Sequence, residues 1–560
     1  HRKSMSTTFA AAAPRAAPAR IRVGSLGWSS LVVAALVLAP ILAVVGNVLR
    51  ASESTWAHLA STVLPGYIAN TLMLVIMVAT GVISIGVLSA WLVTAYRFPG
   101  QRVLEWALML PLAMPAYVMA YAYTDWLQFT GPVQAALRDL AGWKAGEYWF
   151  PEIRSLYGAA AMFAFALYPY VYLLARSAFL EQSRTAIEAG RLLGFSAWGS
   201  FWRVALPLAR PAVAAGAALA LMETLADFGV VSYFAVQTFT TGIYRAWLSL
   251  GDVVAAAQLA TCLLGFVLIV LVLERMQRGR ARYAGSRKPT PPYALRGWHA
   301  ALAFVLCAAP IVFGFLLPGG ILLHLVVTDP DARISVRLYA LIANSATLSG
   351  ITASVAVLVA ILLAYAGRLS KNGTVQAANR LAALGYAVPG AVLAVGILVP
   401  LGKLDNVVAN WLFQLFGVKS GLLLTGTGVA LVYACLVRYL AVAFQTTEAG
   451  LARVTPAMDD AARSLGLSPG RTLARVHVPM VRGSLLTAAL LVFVDVMKEL
   501  PMTFAMRPFN FDTLAVEAYN LTKDERLAEA AVPSLVIVAI GLVPLIVLSR
   551  QIARSRRALH

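Results

Sequence analysis

The chain has 560 residues, 60% of them hydrophobic and only 12% charged, with a mean hydropathy of +0.77, which excludes a soluble multidomain protein. Lys and Arg outnumber Asp and Glu by 45 to 25, a formal net charge of +20, yet so apolar a chain has no face to offer a nucleic acid, so the basic excess requires a membrane explanation. Cys262, Cys307 and Cys435 each lie in an apolar run without disulfide or zinc-site spacing and read as small core residues.

A hydrocarbon slab needs ~20 apolar helical residues to cross it. Ten stretches of eighteen or more residues lack Asp, Glu, Lys and Arg: 23–49, 59–96, 106–124, 155–175, 253–273, 300–328, 338–367, 381–402, 420–437 and 530–549. Two more, about 211–235 and 483–506, are as apolar but interrupted by Glu223 and Asp227 in one and by Asp495, Lys498 and Glu499 in the other. Twelve spans result. With the amino terminus inside, cytoplasmic segments carry 32 Lys and Arg against 7 Asp and Glu, and the opposite side 12 against 14, as the positive-inside rule requires.

Residues 1–22, rich in Ala, Pro and Arg, read as a disordered cytoplasmic tail ahead of an uncleaved first helix. The basic stretch at 275–299, with Lys288-Pro289-Thr290-Pro291-Pro292, reads as a cytoplasmic linker that divides the spans six and six. The repeats are then 23–274 and 300–549, with 550–560 a second cytoplasmic tail. Self-similarity supports the division. Ala69-Asn70-Thr71 recurs as Ala343-Asn344-Ser345, and Met114-Pro115-Ala116-Tyr117-Val118 as Val388-Pro389-Gly390-Ala391-Val392, both 274 residues on. At 272 residues, Gly194 to Pro207 recurs as Gly466 to Pro479, and Glu223 with Asp227 as Asp495 with Glu499. Six spans per copy make the repeats parallel, related by a pseudo-twofold axis along the membrane normal.

Each repeat carries one patterned cytoplasmic loop, at about 185–210 and 455–482. The first reads Glu188-Ala189-Gly190, three residues, Gly194, nine residues, Val204-Ala205-Leu206-Pro207; the second reads Asp460-Ala461-Ala462, three residues, Gly466, nine residues, Val476-His477-Val478-Pro479. Two short helices meeting at a left-handed glycine are expected, with Ser196 or Ser468 capping the second helix. Thr185 with Glu188 forms a capping-box pattern, and Thr455 with Pro456 a cap and first-turn proline.

These loops resemble the E-A-A, three residues, G, nine residues, I-x-L-P motif of ABC importer permeases. The motif departs from that form at Gly190, Asp460 and Val478. The resemblance implies an all-α polytopic membrane protein of the type I importer permease kind, with twelve transmembrane helices in two parallel six-helix repeats. It also implies that Glu188, Ala189, Gly190, Gly194, Pro207, Asp460, Ala461, Ala462, Gly466 and Pro479 couple the spans to ATP-binding subunits. Met222 to Gly229, Phe239 to Arg245, Met497 to Pro501 and Arg507 to Ala515 narrow it to the fused permeases of ferric iron importers. Thiamine and phosphonate permeases share the layout. The partners implied are two copies of an ATP-binding subunit, a periplasmic binding protein and the lipid bilayer of the bacterial inner membrane, with both termini cytoplasmic. No nucleic acid and no cofactor is implied. The chain lacks a G-x-x-x-x-G-K-[ST] phosphate loop, so ATP hydrolysis is expected elsewhere and the permease is not itself an enzyme. An ion-coupled carrier also uses six-plus-six repeats, but does not need paired coupling loops.

Charges inside a bilayer mark function. Glu223 and Asp227, like Asp495 and Glu499, stand four apart, so a helix would project each pair from one face, and the repeat axis would bring the pairs to a common centre suited to a hard cation. Lys498 is the competing structural partner. Tyr117, Tyr121, Tyr123, Tyr168, Tyr170, Tyr172 and Tyr233 are expected mostly in interfacial belts, and His58, His324 and His477 as packing residues rather than a metal-binding trio.

Overall fold

The structure, a computed structural model, describes residues 25–47, 53–144, 146–181, 194, 197–278, 293–370 and 372–557. The expected tail at 1–22 and most of the linker lie outside them. In the first half the helices that matter below are α1 (Ser25–Asn47), α2 (Leu64–Ala95), α3 (Ala116–Leu127), α4 (Leu156–Glu181), α5 (Leu206–Ala226), α6 (Gly229–Tyr233), α7 (Phe239–Tyr244) and α8 (Val253–Arg278). The second half supplies α9 (Trp298–Thr328), α10 (Val336–Leu369), α11 (Gly390–Phe416), α12 (Gly428–Leu451) and α13 (Pro456–Ser464). It continues with α14 (Val478–Met497), α15 (Pro501–Met506), α16 (Leu514–Lys523) and α17 (Leu527–Arg557).

Among the described residues eleven helices are long and apolar enough to cross a membrane, and Gln101–Ala113 with Ala116–Ala141 forms a twelfth, bent by 91°. The count of twelve agrees with the sequence, but several boundaries do not. The stretch 381–402 becomes α11, 420–437 becomes α12, and the final helix runs through Arg557 where a tail was expected from 550. The third span is broken at Met114-Pro115, because the proline lacks the N–H that would continue the preceding turn. Its repeat partner Val388-Pro389 makes the same break before α11.

Proline also explains a feature that recurs three times. Pro207, Pro318 and Pro479 each sit at the second position of an α-helix preceded by a π-helical turn, at Phe201–Ala205, Val312–Leu316 and Leu473–His477. In each, the N–H of the residue before the proline reaches back five residues, as in Leu206 to Phe201. The missing proline donor leaves the preceding turn free to widen. The proline that ends each coupling-loop motif therefore shapes the start of the span that follows it.

The two halves interlock through their first helices. α1 packs against α11 and the short helix Gly373–Ala382 of the second half, and Tyr433 Oη donates to the Leu36 carbonyl at 2.6 Å. α9 returns the favour on the first half, where Tyr123 Oη donates to Phe313 O at 2.6 Å. The crossing of α1 on α11 is close: a Cβ at Gly396 would lie 2.4 Å from the Pro40 carbonyl oxygen. Gly396→Leu should cost about 1–3 kcal/mol by overpacking and lower the thermal midpoint of the purified protein. Gly402→Leu, six residues on in the same helix with nothing within 4 Å of the added Cβ, should leave that midpoint in place.

Candidate functional site

The four sequence-predicted carboxylates do meet. Glu223, Asp227, Asp495 and Glu499 line one cavity of about 110 Å³ with Tyr117, Tyr170, Arg438, Tyr439 and Lys498. They are not, however, two pairs on two helical faces. α5 ends at Ala226 and α14 at Met497, so Asp227 and Glu499 stand beyond the helices that carry Glu223 and Asp495. There each caps a short helix. Asp227 Oδ1 accepts from Val230 N at 2.8 Å; Glu499 accepts from Met502 N and Thr503 N, both at 2.9 Å, and from Thr503 Oγ1 at 2.8 Å. The acid ends the span and starts α6 or α15, because its oxygens satisfy N–H groups that would otherwise be orphaned in the membrane.

The other member of each pair faces a cation. Asp495 Oδ1 lies 2.9 Å from Lys498 Nζ, one helical turn on, as the sequence allowed. Glu223 Oε2 lies 3.4 Å from Arg438 Nη2, and Arg438 escaped the sequence reading altogether. It stands in the middle of α12 and is 5% exposed. Counting charge-free runs placed the end of that span at 437, just before it, and assigned its charge to a cytoplasmic loop. The available signal was the continuation of apolar helical sequence beyond the arginine.

The tyrosines are corrected likewise. Tyr117, Tyr121, Tyr123, Tyr168 and Tyr172 are buried within the bundle rather than placed in a belt, Tyr117 and Tyr170 line the central cavity, and Tyr117 Oη donates to Lys498 O at 3.2 Å across the repeat boundary.

Access to the centre is unequal on its two sides. Toward the coupling loops lies an open cavity of about 940 Å³, bounded by Met222, Glu274, Arg368, Tyr386, Gln445 and Glu448 among others. On the opposite side, residues from both halves close in. The Phe228 ring lies 4.2 Å from Tyr244, 5.5 Å from Phe504 and 5.5 Å from Tyr519, and Ser232 Oγ lies 2.8 Å from Tyr519 Oη. The repeated Asn70 and Asn344 tie the segments carrying these rings to the spans: each amide donates to a backbone carbonyl, of Gln237 at 2.9 Å and of Asp512 at 3.0 Å.

Of the first coupling loop, Glu188, Ala189 and Gly190 lie outside the described residues, while Gly194 has φ +81° and Pro207 opens α5. The second loop is described throughout. Asp460, Ala461 and Ala462 lie in α13, and Gly466 at φ +77° closes it. Gly466 N donates to Arg463 O at 2.9 Å and Leu467 N to Ala462 O at 3.0 Å, a Schellman ending that fixes where the next helix points. Thr455 and Ser468 stand at their expected cap positions, but neither side chain makes a capping hydrogen bond.

Instead a partly buried polar latch holds this loop. Arg368, at the end of α10, reaches Asp459 Oδ2 at 2.8 Å, Leu451 O at 3.0 Å and Val454 O at 2.8 Å. His477, fully buried, sets Nε2 2.6 Å from Asp459 Oδ1, so it is a latch member and not merely packing. Burial raises the Asp459 carboxyl, but Arg368 and His477 outweigh burial and hold it below the ordinary carboxylate range. Among the described residues at the corresponding part of the first half, Trp91 lies 5.3 Å from Phe179 and 5.1 Å from Phe201.

A family model described as the inner membrane component of binding-protein-dependent transport systems matches residues 82–282. The Fe(3+)-transport system permease protein FbpB 2 of Haemophilus influenzae is 25% identical over 490 residues, covering 86% of this chain and 89% of that protein. The sulfate transport system permease protein CysT of Escherichia coli is 30% identical over 38% of this chain and 74% of its own length. The molybdenum transport system permease protein ModB of Escherichia coli is 30% identical over 35% of this chain and 87% of its own.

Breaking the latch should loosen the second loop selectively. Arg368→Met leaves a largely buried carboxylate without its main partner and should cost about 3 kcal/mol, read as faster amide hydrogen exchange across 456–477 than across α11. Because the Asp459 carboxyl is held low in the fold, the latch contributes fully above the ordinary carboxylate range and is lost only as pH falls through that lowered value. The part of the wild-type loop's protection that depends on the Asp459 charge, read as the difference from Asp459→Asn, should therefore persist through the ordinary carboxylate range and be lost only as pH falls below it.

Proposed function

The chain belongs to the family of binding-protein-dependent transport system inner membrane components, and from that premise we propose that it is the two-in-one permease of an ATP-driven importer carrying ferric iron. One observation supports the substrate through the fused layout: a ferric permease matches along both halves, 86% of the chain, whereas the sulfate and molybdenum permeases, shorter proteins covered to 74% and 87% of their own length, match 38% and 35% of it. The repeats at 23–274 and 300–549 are the two permease halves, and the linker between them and both termini are cytoplasmic.

Energy enters through the coupling loops. Separate ATP-binding subunits, one under each half, seat on Glu188, Ala189, Gly190 and Gly194 of one loop and on Asp460, Ala461, Ala462 and Gly466 of the other. Pro207 and Pro479 pass the movement into α5 and α14 through the π turns before them. A periplasmic binding protein delivers the ion to the opposite face. The large cavity on the coupling-loop side and the aromatic closure beyond the centre support an inward-facing resting state. Glu223 and Asp495 face the path, while Asp227 and Glu499 hold its scaffold. Carboxylate oxygens suit a hard trivalent ion.

Reconstitution with the ATPase and binding protein tests the substrate: ATP-dependent uptake is expected for ferric iron and not for thiamine, a phosphonate, sulfate or molybdate, and the opposite pattern overturns the assignment. Gly466→Pro should leave ATP hydrolysis running while transport falls roughly tenfold or more, since proline cannot adopt the positive φ of the turn. Parental transport by that variant would remove the coupling role from the loop. For topology, an impermeant thiol reagent on intact cells should label a cysteine introduced at 142 or 331 and spare one at 286, because the termini and linker hold 16 of the 45 basic residues.

A further inference from the structure

The central cavity has a cationic side that its carboxylates do not use up. Arg438 is 5% exposed, and its single ion pair, to Glu223, is long at 3.4 Å. Among the described residues Nε and Nη1 have no hydrogen-bonding partner, although a guanidinium carries five N–H groups. Leaving such donors buried and unmatched costs on the order of several kcal/mol in a membrane interior. Gly390 opens α11 close beside the guanidinium in a tightly packed corner, where an added Cβ would lie 3.0 Å from Met502 Cγ, 3.1 Å from Pro501 Cβ and 3.4 Å from Nη1. Lys498 lines the same cavity and spends one ion pair on Asp495.

Two of the four carboxylates already have their oxygens committed. Asp227 and Glu499 are engaged as helix caps, which leaves Glu223 and Asp495 as the carboxylates with capacity for a ligand. Two carboxylates beside an arginine and a lysine form a mixed site, complementary to a cation that arrives with its own anion. The lining holds four carboxylates against two cations and so attracts a trivalent ion overall, while Arg438 and Lys498 oppose its approach on their own side of the cavity. The cavity volume of about 110 Å³ suits an ion with a compact ligand and is too small for a large organic chelate.

We propose that the central cavity binds ferric iron together with a small oxyanion of phosphate type, Arg438 and Lys498 taking the anion while Glu223 and Asp495 face the metal. This rests on the ferric reading above and adds the form in which the ion crosses. Pairing with an oxyanion lowers the net charge brought into the low-dielectric centre and gives the unmatched guanidinium N–H groups their acceptors.

The test uses the complete transporter in proteoliposomes, with the binding protein loaded with radiolabelled iron and labelled phosphate. The expected result is accumulation of both labels in a fixed ratio. Arg438→Met, checked for folding by its thermal midpoint, should lower phosphate accumulation roughly tenfold or more, and Arg438→Lys should restore part of it. Iron accumulation without phosphate overturns the proposal while leaving the ferric reading intact, as does equal uptake of iron with labelled citrate from ferric citrate. Absence of iron uptake by the wild-type transporter overturns the ferric reading and this proposal with it. The wild-type double-label ratio decides the matter even where Arg438→Met fails to fold.

Discussion

A charged group inside hydrocarbon has to be answered by the protein, and the centre of this molecule is organised around that demand. Two carboxylates meet it by stopping a span and starting a short helix: Asp227 accepts from Val230, and Glu499 from Met502 and Thr503. Two others meet it with cations one turn or one helix away. The broken spans are thus a consequence of the acids, since each acid needs free N–H groups and only a helix start provides them. The breaks in turn give the central cavity its walls, and aromatic residues on and beside the short helices close its far side. In the second half Pro501, four residues after Met497, adds a second reason for α14 to end there, since its ring excludes the carbonyl that would continue the helix.

Much of this was legible in the sequence, and the failures are instructive. The duplicated loops and the spacing of 272 to 274 residues depend on local chemistry that repeats in both halves, such as glycine at a left-handed turn and proline after a fixed count. Twelve spans were legible because length and apolarity are sufficient to identify them. Arg438 was missed because the counting rule treats a charge as the edge of a span, so that the charge best protected by its surroundings is the one placed outside. The second carboxylate of each pair was assigned a helical face, since spacing of four residues says nothing about whether the helix survives that far. The tyrosines went to belts for a similar reason: an amphipathic ring is as well satisfied by a carbonyl within the bundle, as Tyr123 is by Phe313, as by a lipid headgroup.

The repeats are alike in outline and unlike in the means used. Both spans after the coupling motifs start with a π turn and a proline, yet the second half holds its loop with Arg368, Asp459 and His477, and the first half packs Trp91, Phe179 and Phe201 at the corresponding place. Ion pairs and directed hydrogen bonds have one good geometry, while ring contacts tolerate sliding. The described contacts therefore leave the second loop more tightly fixed to its spans than ring packing alone would.

The exchange of first helices between halves bears on how such a molecule can be made from one chain. α1 completes the wall of the second half and α9 that of the first, and the end of the linker is stitched to the first half by Tyr96 pairing with Tyr293 and by Leu295 N donating to Arg97 O. A half synthesised alone would lack a wall and expose the crossing face of α11 or α2. Joining the halves covalently raises the local concentration of each for the other far above what two free polypeptides reach in a bilayer. Fusion thus acts as an assembly device: it sets a one-to-one ratio of unlike halves and suppresses pairing of a half with its own copy.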